Sequence, residues 1–143
     1  MPTGLCMHYP ALSTDLNTFF PSTLIALDDP VLSQSFLKFC LASFGKNGGN
    51  ASRNPLMSPV ITPDNILARF PKTFIITCEA DPLRDPQLEF ALRLKKLGVP
   101  TKIVLMKEYI HGFCSFDMKF GVSEYHRGIL ITEEQIREVL ELP

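Results

Sequence analysis

Two runs of apolar residues, Thr73-Phe74-Ile75-Ile76-Thr77-Cys78 and Ile103-Val104-Leu105-Met106, are continuous rather than alternating. A continuous run marks a strand covered on both faces, as in a parallel sheet. Between them Leu88, Ala91, Leu94 and Leu97 recur every three residues, with Phe90 widening the stripe. Asp85-Pro86 supplies a helix start and Gly98 a helix stop, so the pattern predicts strand, helix, strand. Such a crossover joins parallel strands and is right-handed in nearly all cases.

The remaining pattern is weaker. Gly4-Leu5-Cys6-Met7-His8-Tyr9, stopped by Pro10, predicts a first strand at 4–9. Residues 13–31 read as loop with a short helix at 23–27. Asp29-Pro30 then predicts an N-cap and first turn. The helix it opens runs to Phe44, because Leu32, Phe36, Leu37, Cys40, Leu41 and Phe44 share one face and Gly45 suits its end. That stripe is core packing or, alternatively, the lining of an acyl pocket. A polar loop follows at 46–53. Pro55, Pro59 and Pro63 predict an extended, irregular stretch, and Pro63-Asp64-Asn65 a short helix to Arg69. Near the end, Thr132-Glu133-Glu134-Gln135 fits a capping box opening a helix with Ile136, Val139 and Leu140 inward. The prediction is one partial α/β domain over 1–143. Its parts are the strand at 4–9, a helical and loop insertion at 13–71, and a strand-helix-strand-helix unit at 72–143.

Composition narrows the class without naming it. The 143 residues are 45% hydrophobic and 20% charged with a net charge of −1, as in an ordinary globular domain with a sizeable core. Lys and Arg are scattered, which argues against nucleic acid and against a polybasic membrane patch. No run approaches the roughly 20 apolar residues of a membrane span. Met1 to Pro10 lacks the basic start and apolar stretch of a secretory signal, so a cytoplasmic chain is expected. Cys6, Cys40, Cys78 and Cys114 are widely spaced, with no C-x-x-C, and reduced thiols are expected, buried at Cys40 and Cys78. The three histidines lack metal-ligand spacing and no glycine-rich phosphate loop follows a strand, so neither cofactor nor metal is implied.

The candidate chemistry lies just past the two apolar strands. Asp81 stands in Glu79-Ala80-Asp81-Pro82-Leu83, and His111 in Tyr109-Ile110-His111-Gly112-Phe113. In an open parallel sheet the loops at the carboxyl ends of strands share one edge, where ligands bind. A histidine acting as general base needs a carboxylate on its far nitrogen to fix its tautomer and stabilise the imidazolium. The plainer readings are an Asp-Pro turn at Asp81 and a surface histidine at 111. Asp85 is a rival carboxylate, though its place before Pro86 suits an N-cap. His8 and His126 have no carboxylate at a meaningful position. No Gly-x-Ser-x-Gly turn occurs in the 143 residues, and Ser115 and Cys114 do not follow a strand as a nucleophile elbow requires.

In order and spacing, Asn54-Pro-Leu-Met-Ser-Pro, Cys78-Glu-Ala-Asp-Pro-Leu-Arg-Asp and His111-Gly-Phe resemble the C-terminal part of the hormone-sensitive lipase family of α/β-hydrolases. Tyr9-Pro10-Ala11-Leu12 resembles that family's strand after the nucleophile helix. The resemblance implies the C-terminal portion of an α/β-hydrolase fold, with parallel strands, flanking helices and an incomplete sheet. It implies that Asp81 and His111 are the acid and base of a Ser-His-Asp triad acting on acylglycerols, cholesteryl esters or similar lipid esters. Association with a lipid-droplet surface is a further implication. The family's His-Gly-Gly-Gly and Gly-Asp-Ser-Ala-Gly motifs precede the segment matching Gly4 and do not occur here. The expectation is therefore a C-terminal fragment inactive by itself. The alternative is a non-catalytic chain that binds lipid or pairs with a full-length subunit.

Overall fold

The structure, a computed structural model, describes residues 2–15, 18, 20–45, 53–113 and 122–140, with the side chains of 45, 122–125 and 140 outside the description. Three parallel strands form its sheet in spatial order β1 (Gly4–His8), β2 (Lys72–Ala80), β3 (Thr101–Ile110). Gly4 through His8 pair with Lys72 through Ile76, and Thr73 through Cys78 pair with Thr101 through Met106. β2 is central, and its residues 73–78 are all buried, which is why that run reads as continuously apolar. In β3 only Met106 is fully buried and Leu105 is 40% exposed, because β3 is an edge strand with a neighbour on one side among the described residues.

Alternation along the strands sends two sets of side chains to opposite faces. On one face Met7, Ile75 and Ile103 pack with Leu12, Leu67, Phe90, Ala91 and Leu94. Phe90, Ala91 and Leu94 come from α4 (Arg84–Lys96), the crossover helix that the threefold apolar repeat predicts. Leu97 forms its C-cap and Gly98 turns the chain at φ 81°, a backbone region that favours glycine. On the other face Ile76, Cys78, Val104 and Met106 pack with Tyr9, Phe113 and Ile131. Ile131 belongs to α5 (Val122–Leu140), which also lays Val139 so close to Gly4 that a Cβ at position 4 would collide with it.

Several local expectations shift. α5 begins ten residues before the predicted capping box, and Thr132 sits inside it, donating its hydroxyl to the Gly128 carbonyl four residues back at 2.8 Å. The helix at 23–27 forms instead as α1 (Pro21–Ile25). The helix expected from Asp29 starts later, as α2 (Gln34–Gly45), with the Ser33 hydroxyl accepting the Phe36 amide at 3.4 Å. Of its apolar stripe, Leu37 is buried and Leu41 half-buried with Leu32 against Leu83, whereas Phe36 and Phe44 are mostly exposed and Cys40 only half-buried. The stretch from Asn54 to Pro63 is turned rather than extended, with a 3-10 helix at Pro59–Ile61, before α3 (Asp64–Leu67). Arg93 of α4 holds that turn, donating to the Val60 and Thr62 carbonyls at 2.6 Å each and to Asp64. The loop at 46–52 lies outside the described residues.

Asp85 is not the cap of its own helix. The N-cap of α4 is Leu83 and that of α1 is Phe20, and neither side chain makes a capping bond. The two helices cap each other. Asp85 accepts the Ser22 amide at 2.8 Å, and the Ser22 hydroxyl accepts the Asp85 amide at 3.2 Å while donating to the Pro82 carbonyl at 3.1 Å. This is the reciprocal logic of a capping box, spread over two elements 63 residues apart.

Candidate active site

The parallel pairing of β2 and β3 brings their carboxyl ends to one edge, and a register shift completes the approach. Cys78 pairs with Met106 and Ala80 with Ile110, so β3 spends two more residues than β2 over this stretch. Glu108, at φ 65°, lies in the extra length, and its amide is held by the Glu79 carboxylate at 2.9 Å. The chain then turns at His111 and Gly112, the latter at φ 74°. His111 thereby hangs over the turn that follows β2.

There the two predicted residues meet. His111 Nδ1 lies 3.0 Å from Asp81 Oδ2, with the Asp81 side chain fully buried and that of His111 18% exposed. The other carboxylate oxygen, Oδ1, accepts the Leu83 amide at 2.7 Å. Asp81 thus serves a turn through one oxygen and meets His111 through the other. A buried carboxylate at Nδ1 favours the tautomer protonated there, which leaves Nε2 as the acceptor. An imidazole held in this way is chemically able to accept a proton at Nε2. The Tyr9 ring meets the imidazole edge-on at a centroid distance of 4.9 Å, limiting its rotation.

The other candidates fall elsewhere. His8 points at α5, its Nε2 3.2 Å from the Thr132 hydroxyl, and burial lowers its pKa below the ordinary histidine value. His126 is on the exposed side of α5. Asp85 is occupied by Ser22 and by Arg84 at 2.9 Å. Ser115 and Cys114 lie outside the described residues. Among the described residues no three His, Cys, Asp or Glu side chains are placed to hold a metal.

One participant escapes the sequence reading. Asp29, expected as a helix cap, is buried and accepts the backbone amide of His111 at 3.2 Å. Its Asp-Pro context gives a local signal only, whereas the contact spans 82 residues.

Comparison with known proteins identifies the fold and its relatives. The model of a family described as alpha/beta hydrolase fold matches residues 1–115. The hormone-sensitive lipase of Bos taurus is 35% identical over 91 residues, which cover 64% of this chain and 12% of that protein. Human arylacetamide deacetylase-like 3 is 41% identical over 66 residues, covering 46% of this chain and 16% of that protein. Carboxyl esterase 2 of the mycorrhizal fungus Tuber melanosporum superposes with a TM-score of 0.85 at 27% identity, over 97% of this chain and 44% of the esterase. The chain thus spans less than half the length of each of these relatives.

Proposed function

Because the chain belongs to the α/β-hydrolase family, with esterases and hormone-sensitive lipase among its relatives, we propose that it carries the acid–base half of a carboxylic ester hydrolase. The observation that supports this reading is the 3.0 Å pairing of His111 Nδ1 with the fully buried Asp81 carboxylate at the carboxyl edge of a parallel sheet. In the proposed reaction a serine, supplied from sequence outside these 143 residues, attacks the ester carbonyl. His111 Nε2 takes the serine proton and returns it to the departing alcohol, while Asp81 holds the imidazole and stabilises its cationic form. Backbone amides outside this chain would hold the oxyanion, so the isolated chain is expected to turn over no nitrophenyl ester.

The test is a chimera. The part of the Tuber melanosporum esterase preceding the matched region is joined ahead of Gly4, and hydrolysis of a short-chain nitrophenyl ester is followed. His111→Ala should reduce kcat to background, and Asp81→Asn should lower it by about 10⁴, the loss seen for the equivalent change in serine proteases. The exposed His126→Ala should leave the rate unchanged. An active chimera indifferent to His111→Ala would refute the assignment.

A lipid ester is the proposed substrate class, and the cytoplasmic surface of a lipid droplet the proposed place of action. Phe36, Phe39 and Phe44 stand 51%, 67% and 60% exposed on α2, and Leu24 and Ile25 stand 57% and 72% exposed on α1. Large side chains left in water on two successive helices favour an apolar partner. The same exposure suits the second reading, a non-catalytic chain that binds lipid. Tight vesicle binding by a chain whose chimera never hydrolyses ester would select that reading.

A further inference from the structure

Asp29 is buried to 5% exposure and makes no ion pair among the described residues. A carboxylate in such a place is costly unless hydrogen bonds compensate it. Three backbone amides do so: Val31 at 2.8 Å and Leu32 at 2.7 Å on Oδ1, and His111 at 3.2 Å on Oδ2. The first two make a local turn ahead of α2, and one oxygen is enough for that. Among the described residues the second oxygen's partner is the main chain of the residue that pairs with Asp81.

The segment it holds leaves the sheet at the Ala80–Ile110 pair and re-enters the core at Phe113, with His111 between them. Left-handed residues stand on both sides, Glu108 at φ 65° and Gly112 at φ 74°. Glu79 secures the near end through the Glu108 amide, and Asp29 secures the far end. The same stretch of chain reaches Asp81 as well, since Leu32, three residues after Asp29, packs with Leu83, two residues after Asp81. Asp29 therefore sits where one segment touches both turns.

We infer that Asp29 is a positioning residue for the His111–Asp81 pair: its second carboxylate oxygen anchors the His111 main chain so that the imidazole stays in reach of Asp81. The inference rests on the acid–base reading of that pair. Asp29 acts on the backbone and Asp81 on the ring, so the two carboxylates do separable work.

The experiment is ¹⁵N and proton NMR of the 143-residue chain, with imidazole signals assigned by His111→Gln. The wild-type chain should show His111 protonated at Nδ1 with a low-field hydrogen-bonded proton, lost in Asp81→Asn. Asp29→Asn keeps one oxygen for Val31 and Leu32 but turns an amino group toward the His111 amide. It should speed exchange of that amide at least about tenfold and mix the His111 tautomers, with the urea midpoint unchanged from an Asp28→Asn control. If Asp29→Asn does not fold, Asp29→Ser, whose hydroxyl can serve the local turn but is too short to reach His111, takes its place with the same expectation. A wild-type signal lost in Asp81→Asn yet unaltered in the Asp29 variants overturns the inference and leaves the pair standing. A wild-type signal that is absent, or indifferent to Asp81→Asn, overturns the pair and the inference with it.

Discussion

Ser22→Ala tests whether the two helix starts hold each other and, through Pro82, the turn of Asp81. The serine is 1% exposed, so whatever loses its partner there stays out of water. Its hydroxyl accepts from Asp85 N–H at 3.2 Å and donates to the Pro82 carbonyl at 3.1 Å. The carbonyl keeps a second donor, the Thr23 hydroxyl at 3.1 Å, so its loss costs little. The Asp85 amide loses its side-chain acceptor, which is the cost of deleting an N-cap, about 1–2 kcal/mol. Thr23→Val deletes only the redundant donor and should cost below about 0.5 kcal/mol, within the range of ordinary surface changes. The double variant leaves the Pro82 carbonyl with neither donor, and should exceed the sum of the singles by about 1 kcal/mol. Urea unfolding followed by circular dichroism measures all three as midpoint shifts at constant slope. Equal costs for the two single variants, or strict additivity in the double, would refute the asymmetry on which this reasoning stands.

Two further predictions concern the docking of α5. His8 is held neutral by burial, with its folded-state pKa below the unfolded value, so the folded state binds fewer protons than the unfolded one at mildly acid pH. Its stabilising contribution is complete above about pH 6.5 and is lost as pH falls toward the lowered folded-state value. His8→Gln should remove that acid slope in a urea-midpoint profile, and an unchanged slope would contradict it. Gly4→Ala drives a methyl group into Val139 and to 3.1 Å from the Lys72 carbonyl, which should cost about 1–3 kcal/mol. Val139→Ala should recover part of that loss, and absence of recovery would show that α5 does not rest on β1 as described.

The crossover from β2 through α4 to β3 is legible in the sequence because its cause is local. The threefold repeat from Leu88 to Leu97 and the unbroken run at 73–78 each report which faces are covered. The meeting of Asp81 and His111 follows from the same unit, since parallel strands joined by one helix must bring their following loops to one edge. The misread parts share a different origin. Asp29 and Asp85 each precede proline and look like caps of the helix that follows, yet one oxygen of each carboxylate is claimed by a partner 82 or 63 residues away. Thr132 begins a sound capping-box pattern, but upstream residues continue the helix, and the hydroxyl turns inward to the Gly128 carbonyl and His8. Short polar side chains serve whichever amide tertiary structure presents, and a sequence window shows only the near ones.

The extra length in β3 before His111 has an arithmetic consequence. A strand presents alternate residues to opposite faces, so one added residue would invert every side chain beyond it. The shift between the Cys78–Met106 and Ala80–Ile110 pairs adds two. An even insertion preserves parity: Ile110 keeps the orientation its pairing with Ala80 demands, and the added length is taken up between Met106 and Ile110. The sheet thus absorbs two extra residues just ahead of the histidine turn while the pairing on both sides of them stays in phase. Removing Lys107 and Glu108 together would leave the strand in phase and take away the Glu108 amide that the Glu79 carboxylate holds.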